Sequence, residues 1–133
     1  MRLVLTVFIM AAIAAQATFT PAPAQSLSPM KGEFASFGEA FLITLTAYNP
    51  YTVATRQNVE IFDEDWRPVQ GARALPAEYL IGAGERRAVT ALVPFADSQR
   101  RRVYICAASA IASGNGRTIK GQVCGKYVAH RLQ

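Results

Sequence analysis

Histidine is almost missing from this chain: there is one, His130, close to the end of 133 residues. Nucleophilic catalysis needs a base held against a serine or cysteine, and a terminal histidine with no such setting supplies none. Two cysteines and one distant histidine do not make a zinc set. The glycine-rich turns Gly82–Gly84 and Gly114–Gly116 lack a phosphate-loop or dinucleotide context. Asp63-Glu64-Asp65 lacks the spaced ligands and the distant bidentate glutamate of a calcium loop, and it reads as a polar turn. No stretch keeps a helical period over ten or more residues. Beyond the first two dozen residues no run is apolar and long enough to span a bilayer. The expectation is a non-enzymatic protein with no cofactor and no metal, not membrane-spanning.

What is present begins with an address. Met1-Arg2 brings one positive charge, Leu3 to Ala17 is apolar and alanine-rich, and Ala22-Pro23-Ala24 gives a small-residue cleavage pattern. Residues 1–24 therefore read as a secretory signal peptide, and a periplasmic or secreted location follows. Removal of 1–24 leaves 109 residues, the size of one domain. With Arg2 gone, 13 basic side chains against 9 acidic leave a net charge of +4. That excess suits acidic partners or anionic envelope surfaces rather than nucleic acid, which an exported protein seldom meets.

The region from Arg101 to Ala129 is a hairpin around Ser113-Gly114-Asn115-Gly116-Arg117. Glycine and asparagine reach the positive φ of a tight reversal at little cost. With Asn115 at the centre of a three-residue loop, residues whose numbers sum to 230 face each other, and Cys106 meets Cys124. Facing residues of an antiparallel pair lie within disulfide reach, and an exported chain favours the bond. A bridge over that loop is worth about 3 kcal/mol. Alternation puts Val103, Ile105, Ala107 and Ile111 opposite Tyr127, Gly125, Val123 and Ile119 as the core face. The cysteines fall on the other, more polar face, as an external staple.

Ahead of the hairpin, strand signals recur between turn residues. Leu27–Glu33 reads as an edge strand limited by Pro29, and Glu39–Asn49 is the strongest alternation. Asn58–Asp63 follows, with Trp66–Val69 continuing it or starting a short partner. Leu75–Ile81 is short and mixed, and Arg86–Phe95 is a strand. The fold class expected is all-β, an immunoglobulin-like antiparallel β-sandwich of about seven strands filling residues 25–133. A small barrel is the runner-up.

The order TAYNP, VEIFDED, Leu-Pro, IGAGERRAVTALVPF and RRVYIC resembles the immunoglobulin-like N-terminal domain of periplasmic pilus-assembly chaperones, over roughly Ser28 to Ala108. Small single-domain immunoglobulin-like proteins that guard secreted amyloid subunits are a looser likeness. Fold and compartment are what these resemblances imply; no functional residue is carried over, and the two-domain plan of the pilus chaperones exceeds this length. Among the residues themselves, Arg100, Arg101, Arg102, Arg86 and Arg87 are the candidate partner- or anion-binding cations, because guanidinium forks grip carboxylates and phosphates. Trp66 is a candidate recognition aromatic, with a core or sheet-edge residue as the plainer expectation. The function expected is an exported protein-binding module of the bacterial periplasm, chaperone-like or accessory to assembly, working through a sheet edge. Leu27–Glu33 and Thr118–Ala129 are its candidate edges. The alternative is a structural or adhesive subunit of an envelope or surface assembly.

Overall fold

A computed structural model describes residues 25–112 and 115–133; the expected signal peptide and the loop residues Ser113 and Gly114 lie outside them. Nine strands form two sheets. They are β1 (Ser26–Ser28), β2 (Lys31–Ser36), β3 (Ala40–Tyr48), β4 (Thr55–Phe62), β5 (Arg73–Leu75), β6 (Glu78–Ile81), β7 (Arg86–Pro94), β8 (Arg100–Ala112) and β9 (Thr118–Arg131). One sheet runs β1-β3-β7-β5 and the other β2-β9-β8-β4-β6. The architecture is the expected all-β, immunoglobulin-like sandwich. No described helix is long and apolar enough to cross a membrane.

Alternation produces the core. Phe41, Ile43, Leu45 and Ala47 of β3 point inward beside Val89, Ala91 and Val93 of β7. Val103, Ile105 and Ala107 of β8 meet them from the other sheet, with Val59 and Ile61 of β4 and Tyr127 and Ala129 of β9. Leu42, between two buried neighbours on β3, is 62% exposed, as a period of two demands.

Two prolines explain why nine strands replace about seven. The single strand expected at Leu27–Glu33 is two: β1 pairs antiparallel with β3, and β2 pairs parallel with β9 in the opposite sheet. Pro29 stands at the switch. Proline has no N–H for a ladder, so a strand reaching it loses its partner there. Pro76 stands at the same kind of switch between β5 and β6, which also belong to opposite sheets. The β2–β9 pairing also departs from the purely antiparallel expectation. Trp66–Val69 is the short partner foreseen, bridged through Phe62 and Pro68.

The hairpin register is the expected one, Cys106 facing Cys124 and Val103 facing Tyr127. The ladder stops at Ala112 and Thr118, so five residues join the arms rather than three. Gly116 takes the left-handed position at φ 72°. Two expected core members fail. Ile119 is 60% exposed and Ile111 only half-buried, because the pair lies level with Thr55, where β4 begins. Between them and the apolar core the inward residues are polar: Thr55, Gln57 and Ser109 are all buried.

Asn49 fixes this end. It is fully buried, and its Nδ2 donates to the carbonyls of Val53, Ile81 and Gly82 at 2.9, 3.1 and 2.9 Å while its Oδ1 accepts from the Tyr51 N–H. One side chain thus ties the end of β3 to two loops, satisfying carbonyls that burial would otherwise leave unpaired.

Candidate functional site

The feature that sets the site is the unequal treatment of β9. Along its whole length it pairs with β8. On its other side β2 covers only Lys126–Arg131. Thr118–Gly125 is therefore paired on one side alone among the described residues, an eight-residue edge. The candidate edge Thr118–Ala129 is corrected to this upper half; Lys126–Ala129 is interior to the sheet. The candidate edge Leu27–Glu33 splits into the outer strands of the two sheets.

The other exposed edges are poorer templates. β1 and β5 have three residues each and β6 four. β2 shows Lys31 and Glu33 to solvent within six residues, whereas Thr118–Gly125 carries Lys120 alone, and charges on an edge discourage pairing. Along the β9 edge, Ile119, Gly121, Val123 and Gly125 face one way and Lys120, Gln122 and Cys124 the other. Gly125 does not interrupt the apolar row: a Cβ there would stand 2.0 Å from the Tyr127 hydroxyl, so the Tyr127 ring fills its place. Gly121 is open, its nearest contact being Ser109 Oγ at 3.6 Å from a Cβ.

The staple lies beside this edge. Cys106 and Cys124 form a disulfide with Cα atoms 4.0 Å apart on the outer face, Cys106 buried between Glu60 of β4 and Cys124. On the inner face, Ser109 Oγ donates to Gln25 Oε1 at 2.6 Å, and the Tyr79 hydroxyl donates to Gln57 Oε1 at 2.8 Å. Burial raises the Tyr79 pKa, and Arg87 nearby partly offsets it. Tyr127, below the edge, donates to the Pro29 carbonyl at 2.5 Å, and burial pushes its pKa up to about 12.

The candidate arginines do not converge. Arg86 and Arg87 open β7 and Arg100–Arg102 open β8, next to the far end of β7. The length of β7, about 27 Å at its residue spacing, separates them. Arg86 lies over the Tyr48 ring at 5.1 Å and Arg87 over Tyr79 at 5.5 Å. Arg101 donates to the Pro94 carbonyl, and Arg102 pairs with Glu64 at 2.5 Å. Their opposite aims follow the strand alternation. Arg100 has no ion-pair partner among the described residues. Facing these arginines, Asp63, Glu64 and Asp65 wall a shallow cavity of about 240 Å³. Asp63 Oδ1 is spent on the N–H groups of Asp65 and Arg67. Beside it Trp66, at φ 59° and 55% exposed, lies flat on Tyr104 at 4.5 Å. It is a surface aromatic on the outer sheet face rather than a core residue.

No protein-family model and no curated protein matches the chain. Solved structures do. A structure of the Salmonella enterica SafA pilin in complex with the SafB chaperone aligns at TM-score 0.70 and 11% identity, over 83% of this chain and 55% of that chain. The E. coli chaperone DraB aligns at 0.66 and 14%, over 82% and 56%. The periplasmic chaperone SfaE aligns at 0.65 and 7%, over 83% and 59%. The likeness is one of fold. This chain has the sandwich of a pilus-chaperone N-terminal-like domain, and it spans between 55% and 59% of those chaperone chains. At such identity no feature of the aligned sequences assigns a residue its role.

Proposed function

We propose that this chain is an exported, non-enzymatic protein-binding module of chaperone-like kind, a single domain of residues 25–133 behind the signal sequence 1–24. It takes an extended segment of a partner onto Thr118–Gly125. The observation that carries the reading is that edge: eight residues of a fourteen-residue strand with one side unpaired among the described residues. Strand addition satisfies the open backbone groups and lets Ile119 and Val123 pack on the partner's side chains. The fold likeness to chaperones, one solved with a pilin and another periplasmic, supports an exported protein as partner and a periplasmic location. Arg100, Arg101 and Arg102 serve as a secondary contact at the opposite end of the hairpin. Arg86 and Arg87, engaged with tyrosines, contribute only to the surrounding field.

A photo-crosslinking residue at position 120, with a control at Leu42 on the other sheet, tests this in the exporting cell. A partner protein captured from position 120 and not from 42 supports it. Equal capture at both, or none at either, sinks it. The second reading, a structural subunit, rests on the same edge serving a second copy. Sedimentation separates the two: a module that serves others stays monomeric.

A further inference from the structure

Charge is distributed unevenly along this chain. Asp97 is the last acidic residue. Beyond it come seven lysines and arginines and not one carboxylate side chain: Arg100, Arg101, Arg102, Arg117, Lys120, Lys126 and Arg131. Residues 25–97 hold all nine acids against six bases. Folding does not cancel the imbalance along β9, either on its open half or at Lys126 where β2 begins. Lys120 faces Ala110 on β8, and Lys126 faces Tyr104 on β8 and Lys31 on β2. Two lysines side by side are unfavourable until an anion joins them. Of the nearby acids, Glu78 is engaged with Arg56 and Glu33 with His130, and Glu60 stands on β4, with β8 between it and β9. Arg117, Lys120 and Lys126 have no ion-pair partner among the described residues.

We propose that the segment accepted by β9 is an acidic, alternating one. Its apolar side chains would continue the row of Ile119 and Val123, and its carboxylates would lie on the outer face, one against Lys120 and one, where the segment ends against β2, against the exposed Lys126 side chain; Arg117, in the turn before β9, adds only to the field. This deepens the strand-addition reading and rests on it. Lys120 and Lys126 stand six residues apart, about 20 Å along an extended strand. That exceeds the ~8 Å screening length of physiological salt. Each lysine therefore meets its own carboxylate, so that the spacing of acids in the partner is read as well as their number. Complementary charge of this kind speeds encounter and rejects wrong partners more than it adds raw affinity. Basic and like-patterned segments are the ones excluded.

Three synthetic eight-residue peptides test this on the mature protein. They share valines at alternate positions and differ at the others, which are glutamate, serine or lysine. Titration is followed by calorimetry and by the amide NMR signals of Thr118–Gly125. The glutamate peptide should bind about tenfold tighter than the serine peptide at low salt, a few-fold for each exposed pair. The advantage should shrink as salt rises. In a Lys120→Glu, Lys126→Glu variant the preference should pass to the lysine peptide. Equal binding of the glutamate and serine peptides at the edge overturns this inference and leaves strand addition standing. Glutamate-peptide shifts confined to Arg100–Arg102 overturn it too. No binding of any peptide overturns both. An edge already protected by a second copy, seen as a dimer in sedimentation, replaces the acidic segment with the acidic body of this same chain.

Discussion

The two halves of β9 share one strand, one partner in β8 and one alternation, yet they live differently. The lower half, Lys126–Arg131, lies between β8 and β2, and beneath it Tyr127 and Ala129 are wholly buried against Val103 and Ile105. The upper half, Thr118–Gly125, has β8 alone among the described residues, and the interior beneath it is the polar group of Gln57, Ser109 and Gln25. Gln57 Nε2 and Thr55 Oγ1 find no partner there among the described residues, and a buried polar group without one is costly. The lower half is thus where the strand adds to stability, and the upper half is where it has bonding capacity to spare. The difference arises because β2 has only six residues.

The sharpest break of this contrast is a pair of glycine substitutions. Gly125→Val, in which the Cβ takes the place of the Tyr127 hydroxyl, should displace the ring and its bond to Pro29, costing about 4 kcal/mol in urea denaturation. Gly121→Val, whose Cβ meets only ordinary contacts, should cost under about 1 kcal/mol. Similar losses at both would erase the distinction. Next in size is the staple at the boundary. Replacing Cys106 and Cys124 together by alanine should cost about 3 kcal/mol, read as a lowered Tm while the Lys126–Arg131 amides stay the slower to exchange.

Titration of Tyr127 tests the lower half through pH. Burial holds its folded pKa near 12 against 10.0 for an ordinary tyrosine. The fold favours the protonated phenol, so its contribution is whole below pH 10 and is lost as pH rises towards 12, amounting to about 3 kcal/mol. Tyr127→Phe should flatten that part of the stability profile, and an unchanged slope would remove Tyr127 as its cause. The smallest effect on stability belongs to the upper half. Ile119→Asp should alter unfolding by no more than about 0.5 kcal/mol, as exposed sites do, while weakening capture of a partner severalfold by placing a carboxylate on the edge. A large loss of stability would mean that Ile119 belongs to the core.

Much of this was legible in the sequence. The turn at Asn115 and the two cysteines specify one register, and the alternation of Glu39–Asn49 and Arg86–Phe95 names the inward residues of β3 and β7. The run of cations after Asp97 was equally open to reading, though total charge conceals it. Trp66 was visible as an aromatic; its place flat on Tyr104 was not, because φ 59° at that turn is a conformation large residues seldom adopt. The arginine runs showed their types but not their distance from each other.

What the sequence determined by itself is local: side-chain alternation settles which face of each strand is buried, and turn chemistry settles which residues of a hairpin meet. What the tertiary structure alone decided is which strand lies beside which. Pro29 and Pro76 mark places where a ladder must stop, but a missing N–H does not say that the chain then crosses to the other sheet. Nor does it say that β2, coming from a remote part of the chain, ends against Arg131 and begins against Lys126. Those pairings depend on contacts between residues far apart in sequence, and the open half of β9 is what they leave.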